Sequence, residues 1–244
     1  MTISLGKLIL LLAAAAAAYS AGGLDATRAA EDEQTPCNED AMLVFDASGS
    51  MSGNGWGYGS ENPTAISRID KVRSALTRIL PSVTRVRRVG LISYGPGPYN
   101  QCNVQLEFPP IERAADRIIA TVNRLVPAGR TPLAASVKQA AEALDFREKP
   151  GVIVLLTDGE ETCSGLPCEL GHRLHAEAVQ LTIHVIGLRV AGYTRPGEQS
   201  IFEVKCLVKE NGGLYITVEA EDELIKALER TLGCPIITQR RAGH

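Results

Sequence analysis

A short apolar run that ends in an acid and two hydroxyls is the feature that most constrains the fold. Residues Ala41 to Phe45 are apolar, and Asp46, Ser48 and Ser50 follow at alternate positions before a turn rich in glycine and serine. A short, wholly apolar run bounded by turn residues is typical of a central strand of a parallel sheet. Because open α/β sheets bind ligands at the carboxyl ends of their strands, we predict that the three polar side chains lie at a ligand-binding edge.

The polar residues of this motif offer one kind of ligand atom. One carboxylate and two hydroxyls provide hard oxygen donors, and the motif contains no imidazole or thiolate. Such a set suits Mg²⁺, Mn²⁺ or Ca²⁺ better than zinc. The sequence therefore predicts a site for a hard divalent cation.

The rest of the chain alternates short apolar runs with amphipathic segments. The first amphipathic segment, Ile66 to Leu80, repeats its apolar residues at helical spacing, and Val152 to Leu156 is a second apolar strand that ends at Asp158. Val104 to Phe108 alternates apolar and polar residues, as an antiparallel edge strand does. We predict a doubly wound α/β fold: a mostly parallel six-stranded sheet with one antiparallel edge strand and helices on both faces.

Two further polar residues extend the motif. Thr131 lies in Gly-Arg-Thr-Pro-Leu, where a helix is predicted to begin, and Asp158 lies in Leu-Leu-Thr-Asp-Gly. Taken alone, Thr131 could be a plain helix N-cap. Together with D-x-S-x-S, however, the three segments resemble the metal-ion-dependent adhesion site (MIDAS) of the von Willebrand factor type A (vWA) family. The resemblance covers roughly residues 37–235.

The resemblance implies a sheet order and a set of roles. The family order, 3-2-1-4-5-6, would put the strands that end at Asp46 and Asp158 side by side. By analogy, Ser48 and Ser50 bind the ion directly, Thr131 binds directly or through water, and the two aspartates supply charge and orientation. Mg²⁺ is the expected ion, with Mn²⁺ or Ca²⁺ as alternatives. The family function is binding rather than catalysis, with a Glu or Asp carboxylate of a protein ligand completing the coordination.

Four residues beside the motif are candidate ligand contacts. Trp56 and Tyr58 belong to a glycine-rich loop after the first strand, and Glu160 and Glu161 directly follow Asp158. An exposed Trp is a common contact residue in interfaces. The alternatives are that Trp56 packs over its own loop and that the two glutamates are solvated.

Two other functions remain as alternatives. The domain could be a structural subunit of an envelope assembly whose metal serves stability only. A serine hydrolase with Ser52 as nucleophile is a minor alternative, because Gly49 to Gly53 carries serines between two glycines and resembles the nucleophile turn G-x-S-x-G, although Met51 holds its central position. Asp158 and a histidine follow in the chain: His172, His175 or His184. The nucleophile turn must lead straight into a helix, and here a long loop follows. We expect His172 and His175 to lie on a solvated helix face and His184 to be a core residue.

The N-terminal segment predicts export. Residues 1–21 resemble a cleaved signal peptide, since the apolar core Leu8 to Tyr19 is shorter than the roughly 20 residues that span a bilayer. Residues 22–36 are predicted to be a linker and 236–244 a C-terminal tail, and no later run reaches membrane-spanning length. We expect a secreted or periplasmic protein. A net charge of −3 gives no basic field for nucleic acid.

Six cysteines remain in the predicted exported chain, and an even number suggests disulfides. Cys37 and Cys234 flank the domain, and some vWA domains join their ends by such a pair. Cys163 and Cys168 could close a small loop, or they could pair outward with Cys102 and Cys206. A thiolate metal site is a rival interpretation, although the spacing is not C-x-x-C and no histidine follows at zinc-finger spacing.

Overall fold

A mixed sheet organises the computed structural model, which describes residue 37 and residues 39–53, 66–188 and 198–234 (side chains of 198–202 excepted). Its strands are β1 Asp40–Asp46, β2 Val89–Tyr94, β3 Val104–Ile111, β4 Gly151–Thr157, β5 Leu181–Leu188 and β6 Tyr215–Val218. Its helices are α1 Arg68–Val86, α2 Ala115–Arg124, α3 Leu133–Ala143, α4 Pro167–Glu177, α5 Glu198–Glu210 and α6 Glu221–Leu232. A short 3-10 turn, Gly49–Ser52, follows β1.

The strand order is β3-β2-β1-β4-β5-β6, as predicted. β1 lies between β2 and β4 and is parallel to both, whereas β3 pairs with β2 in the antiparallel direction at one edge. The register sets Asp46 opposite Tyr94 and Phe45 opposite Leu156. The ends of β1 and β4 therefore meet at one edge of the sheet, so that the loops following them can share a site.

Successive residues of β1 serve opposite faces of the sheet. Leu43 and Phe45 belong to a core that includes residues of α1, α2 and α6, while Met42 and Val44 belong to one that includes α3, α4 and α5. This alternation follows from the two-residue period of a strand. It explains why the apolar run has no polar interruption: both faces are covered by helices.

The structure differs from the sequence prediction at the end of the first helix and at the start of the third. The first helix was predicted to end at Leu80, but α1 continues through Pro81 to Val86. An internal proline removes a backbone hydrogen bond, yet the following turn buries Val83 and Thr84. The N-cap interpretation of Thr131 is wrong, because α3 has Pro132 at its N-cap position and no side chain caps it there.

Three disulfides cross-link the described chain. Cys37 pairs with Cys234, so that the segment preceding β1 is tied to the segment following α6. Cys163 pairs with Cys102, and Cys168 pairs with Cys206. The outward arrangement is therefore present, and the small-loop alternative, Cys163 with Cys168, is wrong.

His184 was predicted to be a core residue; in β5 it is half-buried, and its ring has a hydrogen-bond partner. Its Nδ1 accepts the backbone N–H of Leu214 at 3.0 Å. Burial, with the nearby charges of Arg87 and Arg230, lowers the pKa of His184 to about 4. The ring is therefore neutral at physiological pH and serves the packing between β5 and the start of β6.

Several predicted features lie outside the described residues: the signal segment 1–21, the linker 22–36, the tail 236–244, and Trp56 and Tyr58. Within the described part of the chain, no helix combines the length and apolar character that a membrane crossing requires.

Candidate metal centre

Asp46 is a fully buried carboxylate at the end of the central strand. Its Oδ1 accepts the backbone N–H of Ser48 at 2.8 Å. Its Oδ2 accepts the hydroxyl of Thr157 at 2.9 Å and the backbone N–H of Asp158 at 3.3 Å. Burial raises the pKa of Asp46, and the hydrogen bonds from Ser48, Tyr94 and Thr157 oppose that rise. The Asp46 carboxylate is thus held by hydrogen-bond donors from the loop after β1 and from the end of β4.

A chain of hydroxyls runs from this carboxylate to the second one. The Oγ atoms of Ser48 and Ser50 are 3.0 Å apart, and Ser50 Oγ donates to Asp158 Oδ1 at 2.6 Å. Thr131 faces the same space: a Cβ built on Gly159 would lie 3.7 Å from Thr131 Oγ1 and 3.8 Å from Ser50 Oγ. The three predicted segments therefore converge.

Thr131 is held by the segment that follows Asp158. Its backbone N–H donates to Thr162 Oγ1 at 2.8 Å, and its carbonyl accepts the Thr162 N–H at 3.0 Å. The carboxylate of Glu161 accepts the N–H groups of Ala134, at the start of α3, and of Cys163, at 2.9 and 2.7 Å. Glu161 therefore has a structural role that the sequence did not suggest. Contact of Glu160 or Glu161 with a ligand stays a prediction.

Gly95 is the point where the first two loops meet. The N–H of Gly49 donates to Gly129 O at 2.9 Å, and the N–H of Gly129 donates to Gly95 O at 2.7 Å. Gly95 has a φ of +76°, and a Cβ at this position would lie 2.7 Å from Ser48 N and Cα. Only glycine allows both this backbone conformation and this approach.

Arg68, the first residue of α1, reaches the site from the side. Its Nη1 donates to Asp158 Oδ2 at 2.8 Å and to the Ser50 carbonyl at 2.7 Å. Even so, burial and the charge of Asp46 raise the pKa of Asp158 to about 7. The guanidinium of Arg68 lowers this pKa but does not offset the effect of burial and of the neighbouring carboxylate.

These residues fit a hard divalent cation. Three hydroxyls and two carboxylates converge, and the contacts just described include no imidazole or thiolate. Oxygen-only sets suit Mg²⁺, Mn²⁺ and Ca²⁺. A bound cation would also offset the burial and like charge that raise the pKa of Asp158.

The arrangement gives the hydrolase alternative no support. Ser52 lies in the 3-10 turn, and its hydroxyl donates to the Gly49 carbonyl at 2.7 Å. Asp158, the acid that the triad would need, bonds to Arg68 and Ser50 instead.

Sequence reasoning missed three residues that shape the site. Thr157 directly precedes Asp158 and could have been suspected from its place at a strand end. Tyr94 is fully buried beside Asp46, so that burial and that carboxylate's charge raise its pKa well above the usual value. No local pattern marks Arg68, because its role depends on where the N-terminus of α1 lies.

Comparison with known sequences finds a domain-family match in the central part of the chain. Residues 41–161 match the family described as the von Willebrand factor type A domain. "Uncharacterized protein YwmD" of Bacillus subtilis (strain 168) is 34% identical over 113 residues, covering 45% of this chain and 47% of that protein. "Uncharacterized protein YwmC" of the same organism is 28% identical over 208 residues, covering 81% and 86%. The match to YwmD thus spans less than half of that relative's length.

Solved structures share the fold at low identity. An aerotolerance-related membrane protein from Bacteroides fragilis superposes with a TM-score of 0.57 at 18% identity, covering 80% of this chain and 98% of that one. Proximal thread matrix protein 1 from the mussel byssus, described with a zinc-occupied MIDAS motif, gives 0.55 at 18% identity, covering 81% and 48%. These likenesses establish the α/β fold.

Substitution of Gly95 tests whether the loops need their close approach. Gly95→Ala is expected to lower the free energy of unfolding by about 2–5 kcal/mol, because it adds a clash with Ser48 to the strain of a positive φ. Gly97→Ala is the matched control: its φ is +96°, but its Cβ would meet only Asn103 Nδ2, at 3.4 Å. That variant should lose about 1–2 kcal/mol. Equal losses in urea unfolding would contradict the clash at Ser48.

Substitution of Arg68 tests the charge balance in chelator-treated protein. The pKa of Asp158 rises from 3.8 to about 7 on folding, so the stability that its carboxyl contributes is full below about pH 4 and is lost as the pH rises through 7. Arg68→Gln should therefore cost roughly 2–4 kcal/mol near pH 8, where the carboxylate is charged, and much less near pH 5. Urea unfolding at both pH values measures the difference.

Arg78 supplies the control for this experiment. It also lies on α1 and pairs with Glu221, but its side chain is 64% exposed. Arg78→Gln should cost less than about 1 kcal/mol at either pH. A loss in Arg68→Gln that is the same at both pH values would show that the guanidinium does not act through the charge of Asp158.

Proposed function

We propose that this chain, whose residues 41–161 match the von Willebrand factor type A domain family, is an exported binding module that captures a protein ligand through a divalent cation. The observation that carries the proposal is the chain of hydroxyls between the carboxylates of Asp46 and Asp158, whose side chains are both buried. Neutral hydroxyls beside buried carboxylates form a site that favours a cation. In this proposal the domain binds and carries out no catalytic step.

Each site residue has a defined task. Ser48, Ser50 and Thr131 hold the ion through their hydroxyls, and Asp158 supplies charge beside them. Both oxygens of Asp46 already accept hydrogen bonds. Asp46 therefore orients the Ser48 loop and contributes negative charge near the ion without binding it directly. When bound, Mg²⁺, or Mn²⁺ or Ca²⁺ in its place, supplies a coordination position that accepts a carboxylate oxygen from an Asp or Glu of the partner.

The choice of ion rests on the donors of this chain. The zinc-occupied MIDAS motif of the mussel protein supports a divalent metal at the corresponding place. Magnesium is proposed for this chain because its donors are all oxygen atoms and the hydroxyls carry no charge.

Export rests on two features. Residues 1–21 have the pattern of a signal peptide, and three disulfides suit an oxidising compartment. A secreted or periplasmic location would also expose the site to protein ligands outside the cytoplasm.

Calorimetric titration of Mg²⁺ and Mn²⁺ into the oxidised protein tests the ion site. The parent should bind one ion, while Ser48→Ala should bind at least about tenfold more weakly because it loses a ligand oxygen. Ser52→Ala is the matched control, because Ser52 lies in the same turn but donates to the Gly49 carbonyl. At one hundred times Kd, the ion should stabilise the parent by about 2.7 kcal/mol.

The outcomes separate the ion-bridged binding module from the structural-subunit alternative. A folded parent that binds no ion, or a Ser48→Ala variant that binds as the parent does, contradicts the site. Immobilised parent protein can then be loaded with candidate ligands in Mg²⁺ and washed with chelator. A ligand that chelator releases, and that Ser48→Ala does not retain, supports the ion bridge. A ligand held equally in chelator supports the structural-subunit alternative.

A further inference from the structure

A second group of metal-binding side chains lies on α4 and α5, outside the site described above. Cys168 and His172 are four residues apart on α4, and Cys206 and Glu210 are four apart on α5. Residues four apart share one face of a helix. The Cys168–Cys206 disulfide joins these two faces, so all four side chains meet along the line where the helices pack.

The imidazole stands close to both sulfur atoms. His172 Nε2 lies 3.7 Å from Cys168 Sγ and 3.9 Å from Cys206 Sγ. Around a tetrahedral zinc ion, with Zn–S about 2.3 Å and Zn–N about 2.1 Å, a sulfur and a nitrogen ligand are about 3.6 Å apart. The ring nitrogen is therefore already near the separation from each sulfur that one shared ion requires.

Glu210 fixes the orientation of this ring. Its Oε2 lies 3.3 Å from His172 Nδ1, which leaves Nε2 on the side of the sulfurs. A carboxylate on the far nitrogen is the usual support of a metal-binding histidine, because it sets both the tautomer and the ring orientation. This contact points to a ligand role independently of the sulfur distances.

The two helices have contacts of their own besides the disulfide. A Cβ built on Gly171 would lie 2.9 Å from Leu207 Cα, so the helices approach closely at this glycine. Asn211 Nδ2 donates to the Gly171 carbonyl at 3.2 Å, and Leu170, Leu174 and Leu207 are buried in one core. The helices should therefore stay adjacent when the disulfide opens.

We propose that reduction of the Cys168–Cys206 disulfide creates a site for one zinc-type divalent ion, held by the two thiolates and His172. A dithiol reductant gives two electrons to the S–S bond and becomes a disulfide, while its two protons pass to the separated sulfurs. Binding of the ion displaces those protons. Two thiolates and an imidazole are the donors that zinc prefers, and water takes the fourth position. Disulfide and ion are alternative cross-links between α4 and α5.

Titration of Co²⁺, as a spectroscopic substitute for zinc, tests the proposal on the whole chain. The chain is reduced with a phosphine under argon, and folding is followed by circular dichroism. Thiolate-to-cobalt absorption should saturate at one ion per chain and disappear on addition of Zn²⁺, whereas the oxidised chain should show none. His172→Ala should weaken binding at least tenfold, and Glu210→Gln about tenfold. His175→Ala, an exposed histidine on the same helix, should stay within twofold of the parent.

Two further measurements locate the signal. Cys168→Ser combined with Cys206→Ser should abolish the absorption; if it persists, another cysteine pair binds the ion and the proposal fails. An excess of Mg²⁺ should leave the absorption unchanged, which separates this site from the oxygen site at β1. A reduced parent that gives no absorption, or a His172→Ala variant equal to the parent, overturns the proposal.

Discussion

The buried carboxyl group of Asp46 is the constraint on which the site depends. A carboxylate with no exposed surface is costly unless donors surround it. The chain turns back after β1, so that the Ser48 N–H donates to Asp46 Oδ1. β4 ends beside β1, where the Thr157 hydroxyl and the Asp158 N–H donate to Asp46 Oδ2. The parallel register of these two strands is therefore a condition for the site as well as for the sheet.

The loops around Asp46 are held from several directions. Gly95, at the end of β2, bonds to Gly129, and the Gln101 carbonyl accepts the Arg130 N–H at 2.8 Å. The Cys102–Cys163 disulfide ties the loop after β2 to the loop after β4. The Thr131 segment thus lies between two anchored loops, and its backbone is hydrogen-bonded to both of them. Such preorganisation would reduce the entropy cost of binding an ion at the proposed site.

Much of this arrangement could be predicted from the sequence, because the relevant signals are local. The apolar runs predict the strands, and their alternation with amphipathic segments predicts the doubly wound sheet. The order of the three motifs along the chain predicts the candidate site residues, from Asp46 in the first motif to Asp158 in the last. The continuation of α1 past Pro81 was not predictable, because burial of Val83 outweighs the local helix-breaking signal. The roles of Arg68 and His172 depend on contacts between segments distant in sequence, and spacing alone does not encode the cysteine pairing.

The central claim is that one divalent cation lies among the hydroxyls between Asp46 and Asp158. Its most direct test is an anomalous difference map from crystals of the oxidised protein grown with Mn²⁺. The account predicts one strong peak within coordination distance of Ser48 Oγ and Ser50 Oγ. The absence of a peak there at saturating Mn²⁺, with the Arg68–Asp158 ion pair intact, would contradict it.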